Sequence, residues 1–159
     1  MKEENKENSA KVNGISLPIS TKQAIEICSF IRGMNPDYAK KLLEEVVQKN
    51  VAVPYRRFNK GVGHKTKIGP GRYPVNAAKE FIKLIDSASA NAQFKGLNTS
   101  SLIISRACAN KAGNFWHFGR KRRRKMKRTH VEIFVEERKT RAETKNAEPK
   151  AKEKKRAER

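Results

Sequence analysis

Eight of the nine residues from Arg120 to Arg128 are lysine or arginine, and the run passes directly into the alternating stretch THVEIFVEE. Cations at this density suit one chemistry above others, charge-assisted hydrogen bonding to phosphate oxygens. A second concentration of functional side chains lies in VAVPYRRFNKGVGHKTKIGPGRYP, residues 51–74. There Tyr55, Phe58 and Tyr73 are interleaved with Arg56, Arg57, Asn59, Lys60, His64, Lys65, Lys67 and Arg72. Such rings stack on bases while the neighbouring cations pair with backbone phosphates. Catalysis has no comparable footing. No carboxylates are paired as for one cleft, and there is no nucleophile elbow. GVGHKTKIGPGR lacks the GxxxxGK[ST] order that sets a lysine on a nucleotide's terminal phosphates. His64, His117 and His130 are scattered, each fitting an RNA contact or surface position better than a general base or metal ligand. The chain is expected not to be an enzyme and to require no cofactor or metal.

The charge distribution sharpens this. The chain has 159 residues, 36% hydrophobic and 33% charged, with a net charge of +21. That length fits one domain with extensions, and that charge points to a polyanionic partner. Val46 to Lys79 contains no acid and eight Lys/Arg, and Ser87 to Val131 contains no acid and eleven. A solvated face ordinarily mixes signs; two long acid-free windows repel themselves unless an anion lies against them. No apolar run approaches the ~20 residues of a membrane span. The polar, acid-bearing N-terminus MKEENKENSAKVNG resembles neither a signal nor a transit peptide. Cys28 and Cys108 are isolated, without metal spacing, and read as buried, reduced thiols.

The elements that must hold these side chains can be read from apolar spacing. In STKQAIEICSFIRG, Ala24, Ile27, Cys28 and Ile31 form one helical face, with Ser20 or Thr21 as cap and Gly33 beyond the end. MNPDYAKKLLEEVVQKN repeats the pattern at Ala39, Leu42, Leu43 and Val46, with Asn35 capping and Pro36 at the first helical position. PVNAAKEFIKLIDSASANAQFKG repeats it at Ala78, Phe81, Ile82 and Ile85, and its small-residue half, SASANA, suits close approach of another backbone. Strands are expected from Ser100 to about Asn110 and from Lys127 to Glu137, with SAKVNGISLPI as a third. Pairing that runs outward from the core makes an extended hairpin of residues 106–130, in which about ten residues per arm span roughly 30 Å. Residues 1–14 are expected to be a flexible N-terminal segment, 15–137 the globular unit including the basic loop 51–74, and 138–159 a charged, disordered tail.

The blocks VPYRRFNKGVGHK and GRYPVNAAKE, together with IRGM, DYAKKLLEEVV and ANAQFKGL, closely resemble the universal large-subunit ribosomal protein twenty-two family in its archaeal and eukaryotic form. The similarity runs from about Leu17 to Glu137. The resemblance implies an α+β fold, three helices packed on a small antiparallel sheet with a long extended β-hairpin. It also implies a cytoplasmic structural protein of the large ribosomal subunit that binds large-subunit rRNA and supports assembly. Its hairpin would help line the polypeptide exit tunnel, with neighbouring large-subunit proteins and the nascent polypeptide as further partners. RNA contacts are then expected at Lys22 and Arg32, at the loop residues named above, at Lys111, Trp116 and His117, and along Arg120, Lys121, Arg122, Arg123, Arg124, Lys125, Lys127 and Arg128. Lys111, Asn114, Phe115 and Trp116 form the expected tunnel tip. The chain departs from the family where AGNFWHFGR runs straight through: a Pro-Arg-Ala element usually precedes the motif matched by FGR, so the outgoing arm is shorter here. Charge alone also fits a chromatin-like nucleic-acid binder or a module for an acidic protein; the loop blocks favour the ribosomal reading.

Overall fold

In the computed structural model, which describes residues 8–138, the three apolar stripes become the buried faces of three helices, α1 (Thr21–Ile31), α2 (Pro36–Val47) and α3 (Val75–Phe94), except that Leu42 and Ile82 are only half-buried. Ile27, Ile31, Leu43, Val46 and Phe81 are all fully buried in one cluster. Each such side chain contributes roughly 1.5–3 kcal/mol by leaving water. Asn35 caps α2 as expected, accepting the Asp37 amide at 2.9 Å behind Pro36. Ser20 occupies the corresponding position of α1 without a side-chain cap bond. The Thr21 hydroxyl is also directed elsewhere, lying 3.0 Å from that of Thr129.

The helices cover one face of a three-stranded antiparallel sheet built from β1 (Ser9–Leu17), β5 (Leu102–Lys111) and β6 (Thr129–Glu137), in the order β1-β6-β5. The alternation in the central strand has a simple cause: Thr129, Val131, Ile133 and Val135 are buried, and the residues between them turn to the other face. α3 packs on β1 and α2, and α1 packs on β5. The small residues of α3 do allow a close approach, with Ala88 and Ala92 fully buried. Asn91 and Lys95 donate to the β1 carbonyls of Lys11 and Ser9 at 3.0 and 2.8 Å. Gly14 leaves room there for two leucine side chains: a Cβ would come within 2.8 Å of Leu17 Cδ1 and 3.1 Å of both Leu84 methyls, which would have to shift.

Three expectations change. Residues 9–14, placed both in a flexible segment and in a third strand SAKVNGISLPI, lie in β1, as the strand reading has it; residues 1–7 and the tail from Lys139 onward fall outside the described residues. The stretch 51–74, read as a loop, contains strands: β2 (Val53–Pro54), β3 (His64–Lys65) and β4 (Gly69–Arg72) form a second small antiparallel sheet, in the order β2-β4-β3. The hairpin also divides differently. Its regular ladder ends at Lys111↔Thr129, and Ala107 and Val131 are fully buried, so residues 106–111 and 129–130 belong to the body's sheet. Beyond them only separate ties join the two arms: Ala112 N–H to Arg128 O at 3.1 Å, Met126 N–H to Phe115 O at 2.7 Å, and His117 N–H to Arg124 O at 2.9 Å. A long regular β-arm is therefore absent from the described residues; residues 112–128 form an irregular tip. Cys28 is buried as expected, Cys108 only half-buried, and both are free thiols.

Candidate nucleic-acid interface

The basic loop is fastened to the body at its start. Glu26, on the inward side of α1 and 2% exposed, accepts three successive backbone N–H groups. Arg56 donates to Oε2 at 3.1 Å; Arg57 and Phe58 donate to Oε1 at 3.0 and 2.8 Å. Consecutive amides converging on one anion form a nest, and here the anion is internal. The Arg56 and Arg57 side chains remain exposed. From the same helix Lys22 reaches over the Phe58 ring at 5.5 Å, and Arg57 lies 5.6 Å from that ring. Farther along, Lys65 lies 5.1 Å from the Tyr73 ring, and Arg72 donates to Gly61 O at 3.1 Å. Asn59, Lys60, His64 and Lys67 are exposed.

Tyr55 takes a different place. It is 4% exposed, so its ring is part of the core beneath the loop, and its hydroxyl has no hydrogen-bond partner among the described residues. Burial pushes that hydroxyl's pKa above its ordinary value, against the lowering influence of Arg72.

The tip gathers the second set. Phe115, Trp116 and Phe118 are exposed, at 61, 59 and 85%. Large rings held in water at that density are a surface in search of a partner. Lys125 sits 4.8 Å from the Trp116 ring, opposite which it forms an isolated bridge. Lys111, Asn114, Arg120, Lys121, Arg122, Arg123, Arg124, Lys125 and Lys127 are exposed, and His117 is half-buried. Arg124 N–H donates to Lys121 O at 3.3 Å, closing a turn in which Arg122 has φ −46°, ψ 154° and Arg123 has φ 67°. This is a type II turn with arginine where glycine is favoured.

Two of the expected contacts serve the body as well. Arg128 donates to Ser16 O at 3.0 Å and lies 5.9 Å from the Phe115 ring, joining the root of the tip to the bulge in β1. Arg32 joins neither set: it donates to Ala107 O at 3.0 Å and borders a cavity of about 390 Å³ with Arg106, Cys108, Phe134 and Glu136. Thr129 is fully buried and donates to Ile19 O at 3.0 Å.

Glu26 and Thr129 escaped the sequence reading. Glu26 lies four residues after Lys22, which reads as an exposed i,i+4 pair; the one available signal was its place beside the apolar stripe. Thr129 lay in phase with Val131, Ile133 and Val135, and that register was its signal.

Electrostatically, the loop and tip differ from the helices in containing no acid. The ion pairs among the described residues are Lys11–Glu132, Lys40–Asp86 and Lys83–Glu80, at 3.8, 2.8 and 3.1 Å. No cation of the loop or tip takes part in one. Arg57, Lys65, Arg72, Lys125 and Arg128 lie against rings or carbonyls, which do not neutralise a positive charge.

Comparison with known proteins matches the same span. The family model described as ribosomal protein L22p/L17e matches residues 12–136. The large ribosomal subunit protein uL22 of Thermoplasma volcanium is 51% identical over 105 residues, covering 66% of this chain and 71% of its own. Its namesake in Methanocaldococcus jannaschii is 42% identical over 141 residues, covering 84% and 90%. That of Ignicoccus hospitalis is 41% identical over 146 residues, covering 85% and 92%. The matched residues include all three helices, the basic loop, the tip and the greater part of the main sheet, and on that extent the chain belongs to the ribosomal protein L22p/L17e family, in its archaeal form.

Proposed function

We propose that this chain is a structural protein of the large ribosomal subunit in the cytoplasm, one that binds large-subunit rRNA through its basic loop and tip and supports assembly. The observation that carries the reading is the absence, among the described residues, of any ion pair to the cations of residues 55–72 and 111–128. A surface so charged is completed by phosphate. The relatives' shared name, large ribosomal subunit protein, supports the same assignment. In this role the body is a mount. The sheet and helices fix the root of the tip, and the loop offers backbone-held arginines to the RNA. Neighbouring subunit proteins meet the remaining surface. The tip, with Asn114, Phe115 and Trp116 and with Lys111 at its root, extends to the wall of the polypeptide exit tunnel, where the nascent chain passes. The role requires no catalysis.

The test is a map of salt-washed large subunits from the source organism, with quantification of the chain in the same fraction. One copy per subunit, with the tip at the tunnel wall, is expected. Release of the chain at nuclease levels that free chromatin proteins, or its absence from washed subunits, overturns the assignment.

A further inference from the structure

Only two polar or charged side chains are buried among the described residues, Glu26 and Thr129. A carboxylate withdrawn from water is strongly unfavourable unless hydrogen bonds compensate it. Those that compensate Glu26 come from Arg56, Arg57 and Phe58 of the basic loop. The loop has no anion of its own to set against its cations, since Val46 to Lys79 contains no acid. Before this turn the loop is held by the two-residue β2, by the buried Tyr55 ring and by Tyr55 N–H donating to Pro70 O at 2.8 Å; the amides of residues 56–58 themselves are held by Glu26. One turn earlier on α1, Lys22 covers the Phe58 ring.

We propose that Glu26 is a positioning residue for RNA binding: its carboxylate fixes the backbone of residues 56–58 so that the Arg56 and Arg57 side chains are presented outward before RNA arrives. The proposal rests on the reading of the loop as an RNA surface. It makes a buried acid part of a phosphate-binding apparatus it never touches. Without Glu26 both arginines remain, but the loop must be ordered at the moment of binding, which lowers affinity without removing a phosphate contact.

The experiment is a mutant cycle on the full chain, using a transcript of the source organism's large-subunit rRNA as probe. Arg56→Ala with Arg57→Ala removes two phosphate contacts, so the log–log salt slope becomes shallower by about 1.4–1.8. Glu26→Gln keeps the side chain's shape but loses its charge and one acceptor. It is expected to weaken binding roughly tenfold with the slope unchanged, and by less than about twofold in the double-alanine background. An equal loss in both backgrounds overturns the proposal, because a purely structural role would act on both alike. If the double-alanine variant binds as wild type does, the loop is not an RNA surface and the underlying reading fails instead. Should Glu26→Gln not fold, amide exchange in the free wild-type chain decides. Protection at residues 56–58 before RNA is added is expected, and exchange at open-loop rates overturns the proposal.

Discussion

Arg123 shows what a single residue can reveal. It has φ 67° in the turn closed by Arg124 N–H and Lys121 O, a conformation any side chain beyond glycine adopts under strain. Glycine would relieve the turn and remove a cation. Arg123→Gly is therefore expected to tighten the free tip by about 1 kcal/mol, read as roughly fivefold slower exchange of the Arg124 amide. It should also weaken RNA binding and make its salt slope shallower by about 0.7–0.9. Faster exchange would mean that arginine suits the turn. Cys28 provides a second test at this scale. Burial, and then the charge of nearby Cys108, push its thiol from 9.0 up to about 12. The folded chain holds the neutral thiol and the unfolded chain ionises it earlier. The contribution is thus fully present below pH 9.0 and is lost as pH rises toward 12. Thiol reagents at pH 8 should modify Cys108 first and Cys28 only on unfolding. The stability difference between wild type and Cys28→Ala should narrow between pH 9 and 11. Equal reactivity in the native chain would refute the burial argument.

At the scale of elements, the tip and β6 are adjacent in sequence and opposite in role. Arg122–Lys125 are exposed, while Val131 and Ile133 are fully buried. Serine at all four tip positions is expected to leave the melting temperature of the free protein within a few degrees and to impair incorporation into large subunits. Serine at Val131 and Ile133 should lower stability by several kcal/mol and abolish the folded body. A quadruple variant that melted far lower yet assembled normally would make the charge run a stability element. The sequence disclosed the helices because each stripe is local: Ala39, Leu43 and Val46 lie within two turns of one another. It disclosed the cation sets for the same reason, since composition needs no partner. The sheet in the loop stayed hidden, because strands of two residues, such as His64–Lys65, leave no period to read. The division of the hairpin was missed because strand and arm share one extended pattern, and only burial of Ala107 against the helices separates them. The role of Glu26 was not legible, because its three partners begin thirty residues away.

Across the whole molecule, charge is sorted. The acids of α2 and α3, Asp37, Glu44, Glu45, Glu80 and Asp86, accompany lysines, and two of them form ion pairs there. The loop and tip hold cations alone. Affinity for an rRNA transcript should therefore fall log-linearly with salt, by about a thousandfold or more between 50 and 200 mM if six to ten phosphates are contacted. A flat dependence, measured by filter binding of the intact chain, would exclude the electrostatic account. The strand order β1-β6-β5 bears on how the chain is made. Its middle strand is the last to be synthesised: Thr129, which seals β6 to Ile19, follows it by 110 residues. At ~5–20 residues per second, a ribosome needs roughly 5–20 s to cover that distance. Throughout that interval the first strand has no neighbour to pair with, and β5, when it appears, has none either. A chain released between residues 111 and 129 carries two outer strands and no centre, together with a complete basic loop. A truncated product is thus a sticky polycation without a body, and the finished fold is reached in a single late step.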